Sequence, residues 1–97
     1  MDYIYEDNRI YAKRDDYLLL AEVTFPARDE KRVDIDHVYV DQSLRGQGIA
    51  SQLMLEAYNF IKSKGLLIVA KCPYAISWFK KHEEYQDIVI NVKTKKS

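Results

Sequence analysis

Cysteine is nearly missing from this 97-residue chain: Cys72 stands alone, which excludes an internal disulfide and leads us to expect a reducing, cytoplasmic setting. Charge of one sign is missing too. Fifteen Lys and Arg balance 15 Asp and Glu, for a formal net charge of zero, so the electrostatic ground for non-specific nucleic-acid or acidic-membrane binding is absent. No apolar run approaches the ~20 residues of a membrane-crossing helix. The acidic start, Met1-Asp2-Tyr3-Ile4-Tyr5-Glu6-Asp7, lacks the basic-then-apolar order of a secretory signal. Glycine and proline are scarce, three and two residues, so each marks a place where the chain has to turn or stop. Tyrosine is abundant instead, eight residues, and suits half-buried strand positions.

The length supports one domain, residues 1–97, with one modest core. Residues 1–7 and 93–97 are expected to fray. Asn8–Lys13 reads as a strand, Arg14-Asp15-Asp16 as a polar turn, and Tyr17–Phe25 as a second strand closed by Pro26, together an antiparallel hairpin. Arg32–Val40 extends it to a three-strand meander. In that third strand Val33, Ile35, His37 and Tyr39 share one face and Asp34, Asp36, Val38 and Val40 the other, with the apolar side changing near His37. The spacing of Ile49, Leu53, Ala57 and Ile61 predicts a helix from about Gly48 to Ser63, stopped by Gly65. The apolar run Leu66–Ala70 reads as a buried strand parallel to the one ending at Val40, reached by a right-handed crossover. Pro73 opens a second helix over Tyr74–Lys81, capped by Cys72 with Ile76 and Phe79 inward, and Ile88–Val92 reads as a short last strand. The class is α/β (α+β).

The strand-to-helix handover at residues 38–50 holds two of the three glycines, Gly46 and Gly48. A helix opening there directs unpaired amides and the positive end of its dipole into the turn, a place for an anion, phosphate above all. The spacing is not a dinucleotide fingerprint, since Ser51 takes the third glycine's place, nor a Walker loop, since no Gly-Lys-Ser/Thr occurs.

Arg45-x-x-Gly48-x-Ala50 resembles the pyrophosphate-binding signature of the GNAT superfamily of N-acetyltransferases. With Lys71-Cys72-Pro73-Tyr74 and Trp78-Phe79-Lys80-Lys81-His82-Glu83-Glu84-Tyr85 following in order, the chain is similar to the minimal stand-alone GNAT-like proteins from about Asn8 to Val89. Glu83 departs from the proline of a His-Pro-Glu-Tyr form. There is also no room for the superfamily's usual helices between the first two strands, so the resemblance implies an acceptor side that is open or closed by a partner. It implies acetyl-CoA as co-substrate and no metal. Leu44, Arg45, Gly46, Gln47, Gly48, Ile49 and Ala50 would hold the pyrophosphate, and the backbone of Val38, Tyr39 and Val40 would meet the pantetheine.

Acetyl transfer needs a nucleophile, an oxyanion donor and an acid for the leaving thiolate. Cys72, at a helix N-terminus, is the candidate nucleophile through an acetyl-cysteine; the plainer use is a small buried apolar residue. His37 is the candidate general base, or else a half-buried strand histidine with one hydrogen bond. Tyr74 is the candidate acid, or helix packing. His82 reads as a helix-end residue, and Asp34 and Asp36 as a solvated face. A metal site of His37, Cys72 and His82 follows no standard spacing, and a cysteine hydrolase leaves the glycine turn unexplained. Two functions remain: acetyl transfer to an unknown amine, protein or small molecule, and non-catalytic acyl-CoA binding or protein interaction. The edge of a small sheet admits a monomer or a weak homodimer.

Overall fold

The computed structural model describes residues 1–93; the expected fraying of residues 94–97 lies outside them. Strands β1 (Ile4–Glu6), β2 (Arg9–Lys13), β3 (Leu19–Thr24), β4 (Arg32–Ile35) and β5 (His37–Val40) lead to helix α1 (Ile49–Ser63), strand β6 (Leu67–Ala70) and helix α2 (Pro73–Lys81). β1, β2, β3 and β5 form one antiparallel sheet in that spatial order, and β4 and β6 a parallel pair.

Residues 4–6, expected to fray, form a strand instead, paired Ile4 to Tyr11 and Glu6 to Arg9. Its anchors are aromatic. The Tyr5 ring lies 5.6 Å from that of Phe60, and its hydroxyl donates to Glu56. The β2–β3 hairpin keeps the expected pairing, Ile10 to Val23 and Ala12 to Ala21, but its connection runs two residues longer, with β3 starting at Leu19 rather than Tyr17 and Tyr17 at φ +68°. Tyr17 N donates to Arg14 O at 2.9 Å.

The expected third strand is two. β4 pairs with β6, Ile35 opposite Ala70, whereas β5 pairs with β3, Val38 opposite Val23. Asp36 divides them: its amide donates to Thr24 O and its carboxylate accepts from Thr24 Oγ1 at 2.6 Å. Val33 and Ile35 are buried before the break, and Val38 packs on the core after it, so the change of apolar side marks a change of partner. The parallel neighbour of β6 is therefore the segment before Asp36, and β5 diverges from β6.

The last expected strand, Ile88–Val92, contracts to a single parallel bridge, Val89 to Ile68. Beyond it the side chain of Asn91 replaces a peptide group, donating to Ala70 O at 2.8 Å and accepting from Ala70 N at 2.9 Å. The ladder ends where a side chain takes over its hydrogen bonds.

Between sheet and helices lies the core. α1 buries Leu53, Met54, Ala57, Tyr58 and Ile61 against Ile10, Ala21, Val23 and Ile35. α2 buries Ala75, Trp78 and Phe79, so Trp78 takes a place expected for Ile76, which is only half-buried. Each fully buried Leu, Ile or Phe contributes ~1.5–3 kcal/mol. Gly65 at φ +72° ends α1 as expected, with Leu66 N donating to Ile61 O. No helix among the described residues is long and apolar enough to cross a membrane.

Candidate active site

Beyond the Ile35–Ala70 pair the chains separate. Ile35 O accepts from both Lys71 N and Cys72 N, at 2.9 and 3.1 Å, which holds Cys72 at the mouth of the gap between β5 and β6. On the β5 side the chain passes Asp41, whose carboxylate accepts from Ser43 N and Ser43 Oγ and caps a short 3₁₀ turn over Gln42–Leu44. The Ser43 hydroxyl, followed by its amide, holds the Asp41 carboxyl below its usual range. Gly46 and Gly48 then adopt φ +82° and +75°, values that L side chains rarely reach.

Apart from the glycine's own chain neighbours, no protein atom lies within 4 Å of where a Cβ would stand on either glycine. The glycines thus serve backbone shape and leave open space, rather than admitting a neighbouring element. The first hydrogen bond of α1 is Gln52 N to Gly48 O, 3.1 Å, so the amides of Ile49, Ala50 and Ser51 have no helical carbonyl to reach.

A cleft of about 160 Å³ lies over this turn, lined by Val40, Leu44, Arg45, Gly46, Gly48, Ile49, Ala50, Ser51 and Tyr74. Eight of those residues are sequence-predicted site residues. Arg45 is the one charged side chain in the lining; its Nε donates to Val40 O at 3.3 Å. Positive helix end, free first-turn amides and a cation without a facing carboxylate fit an anionic phosphate ester. Tyr74 is 40 % exposed at the cleft wall. Burial, with the nearby charge of Cys72, pushes its phenol above the usual value, so at neutral pH it is a proton donor.

The other predicted residues stand outside this lining. Val38 and Tyr39 lie deeper along β5, and Gln47 reaches back with Nε2 3.5 Å from Ser43 O. Cys72 caps α2, its Sγ accepting from Ala75 N at 3.3 Å. His37 stands two residues past the same final pair that Cys72 does, on the diverging chain, and its Nε2 faces Glu22 Oε1 at 3.3 Å. Glu22 also takes Arg9 Nε, and the Arg9 guanidinium lies 3.7 Å over the Tyr11 ring. His37 is thus held by the sheet face, with no hydrogen bond to Cys72 among the described residues. His82 is a helix-end residue, Nδ1 2.7 Å from Trp78 O and its ring 4.2 Å from the indole. Asp34 pairs with Arg28 at 2.7 Å, so it is a partnered carboxylate.

Three residues of the site went unread in the sequence. Asp41 was legible in principle, as an Asp two residues before Ser43 at a turn start. Ser51 and Trp78 were not: Trp78 Nε1 donates to Ser51 Oγ at 2.8 Å across 27 residues of chain, and no local pattern encodes that contact.

A strand pair that parts around a glycine turn at a helix N-terminus defines a class of anion-binding α+β domain, and the comparisons narrow it. Residues 9–88 match the family model for GCN5-related N-acetyltransferases, and the chain belongs to that family. It is an acetyltransferase by that membership, with acyl-CoA as the co-substrate. A GCN5-like candidate N-acetyltransferase from Staphylococcus aureus is similar over 95 % of this chain and 90 % of its own, at 28 % identity and TM-score 0.78. A GNAT family N-acetyltransferase from Escherichia coli, solved in complex with CoA, is 26 % identical with TM-score 0.54, over 64 % of this chain and 38 % of its own. A ribosomal-protein-alanine N-acetyltransferase from Brucella melitensis shares the fold, at 21 % identity and TM-score 0.54, over 92 % of this chain and 67 % of its own. None of the curated proteins matches the chain.

Proposed function

We propose that this protein moves the acetyl group of acetyl-CoA to an amine by way of Cys72. The carrying observation is that the anion cleft and the start of α2 adjoin, Tyr74 lining the cleft two residues after Cys72. The amides of residues 44–50 and Arg45 hold the diphosphate, and the backbone of Val38, Tyr39 and Val40 faces the pantetheine. The Cys72 thiolate attacks the thioester carbonyl, a carbon–sulfur bond forms at Sγ, and the bond to CoA breaks with Tyr74 donating the proton to the leaving thiolate. The acceptor amine then attacks the acetyl-cysteine, a carbon–nitrogen bond forming as the bond to Sγ breaks and returns the Cys72 thiolate; the amine's proton goes to His37, and solvent carries it from there to the Tyr74 phenolate. A reducing cytoplasm would keep that thiol free, and the chain would work as a monomer or weak homodimer.

A second reading, acyl-CoA binding without turnover, draws on one observation: His37 is engaged by Glu22 rather than by Cys72. Intact-mass spectrometry after incubation with acetyl-CoA separates them. The enzyme reading expects one thioester-labile acetyl group, absent in Cys72→Ala, and acceptor-dependent release of CoA. Stabilisation by CoA with neither labelling nor release supports the binder. No stabilisation at all overturns both.

A further inference from the structure

Neighbouring side chains on β5 alternate between the two faces of its sheet. Val38 packs on the core, so His37 points to the other face, where its side chain is 51 % exposed. There Nε2 lies 3.3 Å from Glu22 Oε1. An ionised carboxylate only accepts, so the ring nitrogen that faces it is the one carrying the proton. In the neutral ring the lone pair is then on Nδ1, and among the described residues Nδ1 has no partner. Thr24, directly opposite His37 in the register, does not compete for the ring, because its hydroxyl donates to Asp36.

The carboxylate is fixed from its far side. The Glu22 side chain is 14 % exposed, and its Oε2 takes Nε of Arg9 on β2. Arg9 is held in turn, its guanidinium 3.7 Å over the Tyr11 ring and 3.8 Å from Glu6. One oxygen of Glu22 is thus occupied by a cation that cannot give up its charge, and the other is left for the imidazole. Asp36, the remaining charge beside His37, is turned to Thr24.

Resting on the acetyl-cysteine reading above, we infer that Glu22 is the positioning residue of His37 and that His37 Nδ1 is the atom that takes the acceptor's proton. The contact that separates His37 from Cys72 therefore prepares the base rather than withdrawing it. As the carbon–nitrogen bond forms and the bond to Cys72 Sγ breaks, the proton passes from the amine nitrogen to Nδ1, and the imidazolium so formed faces a carboxylate. Arg9 acts one step further back, holding the Glu22 carboxylate so that Oε1 stays on Nε2.

The test follows the two half-reactions separately in the whole chain. Acetyl-CoA labels Cys72, read by intact mass, and the labelled protein is then discharged by one of two amines. Butylamine is cationic at pH 7 and has to lose a proton, whereas hydroxylamine is neutral there and attacks without a base. Glu22→Gln keeps the shape of the side chain and removes its charge. It should acquire the label as fast as wild type, lose it to butylamine about tenfold more slowly, and lose it to hydroxylamine at the wild-type rate, a split that a merely structural role would not produce. His37→Ala should slow the butylamine step by about a hundredfold or more. The double variant should be no slower than His37→Ala, because Glu22 acts through the ring. In the unmodified protein, nitrogen NMR of the His37 imidazole should place the proton of the neutral ring on Nε2, a readout that needs no variant to fold. Undiminished discharge of Glu22→Gln by butylamine, equal slowing with both amines, additive losses in the double variant, or a neutral ring protonated at Nδ1 overturn the inference while leaving the acetyl-cysteine reading intact. Wild-type discharge rates in His37→Ala overturn the base assignment and the inference with it. A wild type that takes no acetyl group overturns both readings.

Discussion

At the scale of single residues, Gly48 is a glycine of the candidate site that packing does not require. Its φ is +75° and nothing lies near the position of a Cβ, so Gly48→Ala meets strain without a clash. We expect thermal denaturation to show a loss of about 1–2 kcal/mol from the left-handed backbone, while calorimetry shows CoA binding weakened as the methyl group enters the open space. An affinity equal to wild type would place the ligand elsewhere. Gly46, Gly48 and Cys72 were legible from sequence because turn chemistry and capping are local properties. Ser51 and Trp78 were not, since each acquires its meaning from the other across the fold. His37 was legible as a residue at the gap, yet its partner Glu22 is set by the register of β5 on β3, which no single strand reveals.

At the scale of elements, α2 combines a cap and a candidate nucleophile in one side chain. Sulfur is a poor capping acceptor, and Cys72 Sγ meets Ala75 N at 3.3 Å, where serine is a favoured cap. Cys72→Ser should therefore hold or raise the melting temperature, by up to about 1 kcal/mol of stability, and abolish any acetyl labelling seen by intact mass. A fall in melting temperature would mean that the thiol's packing matters more than its capping. The third strand teaches a related lesson. Its change of apolar side near His37 was visible in the sequence, but the division at Asp36 depends on Thr24 offering both a carbonyl and a hydroxyl. Likewise Ile88–Val92 has strand composition, and only the side chain of Asn91 opposite Ala70 shows why the ladder stops. β1 was missed because a three-residue strand carries too little periodicity; its place depends on Phe60 and Glu56 of α1.

At the scale of the molecule, the described chain measures 47 × 30 × 18 Å, a flattened body in which sheet and helices make two layers. The segment after α2 closes it. Asp87 accepts from Lys62 Nζ at 2.7 Å and from Tyr58 OH at 2.6 Å, tying that segment to α1. Lys62 first, then Tyr58, holds the Asp87 carboxyl below its usual range. Because the folded form takes up this proton less readily than the unfolded chain, the contribution is complete above the ordinary carboxylate range and is lost as pH falls through the lowered folded value. Melting temperature should therefore decline between about pH 5 and pH 2, and Asp87→Asn should flatten that decline while lowering stability at pH 7. An unchanged acid profile would show that the tie contributes nothing. Ligand acts in the opposite direction: a hundredfold excess of CoA over its dissociation constant should add ~2.7 kcal/mol, read as a higher melting temperature. The break at Asp36 has a consequence for how the chain can vary. Side chains on a strand alternate, so this one residue sets the parity of everything after it up to the glycine turn. Asp36 and His37 are both exposed, so Asp36 is the extra residue that lets Val38 face the core; deleting it would remove the step by which the chain passes from β6 to β3, whereas insertions in the exposed turn at Arg14–Tyr17 would leave both sides of the gap as they are. Length variation is thus forbidden at one position and free at another, although both are polar and near the surface.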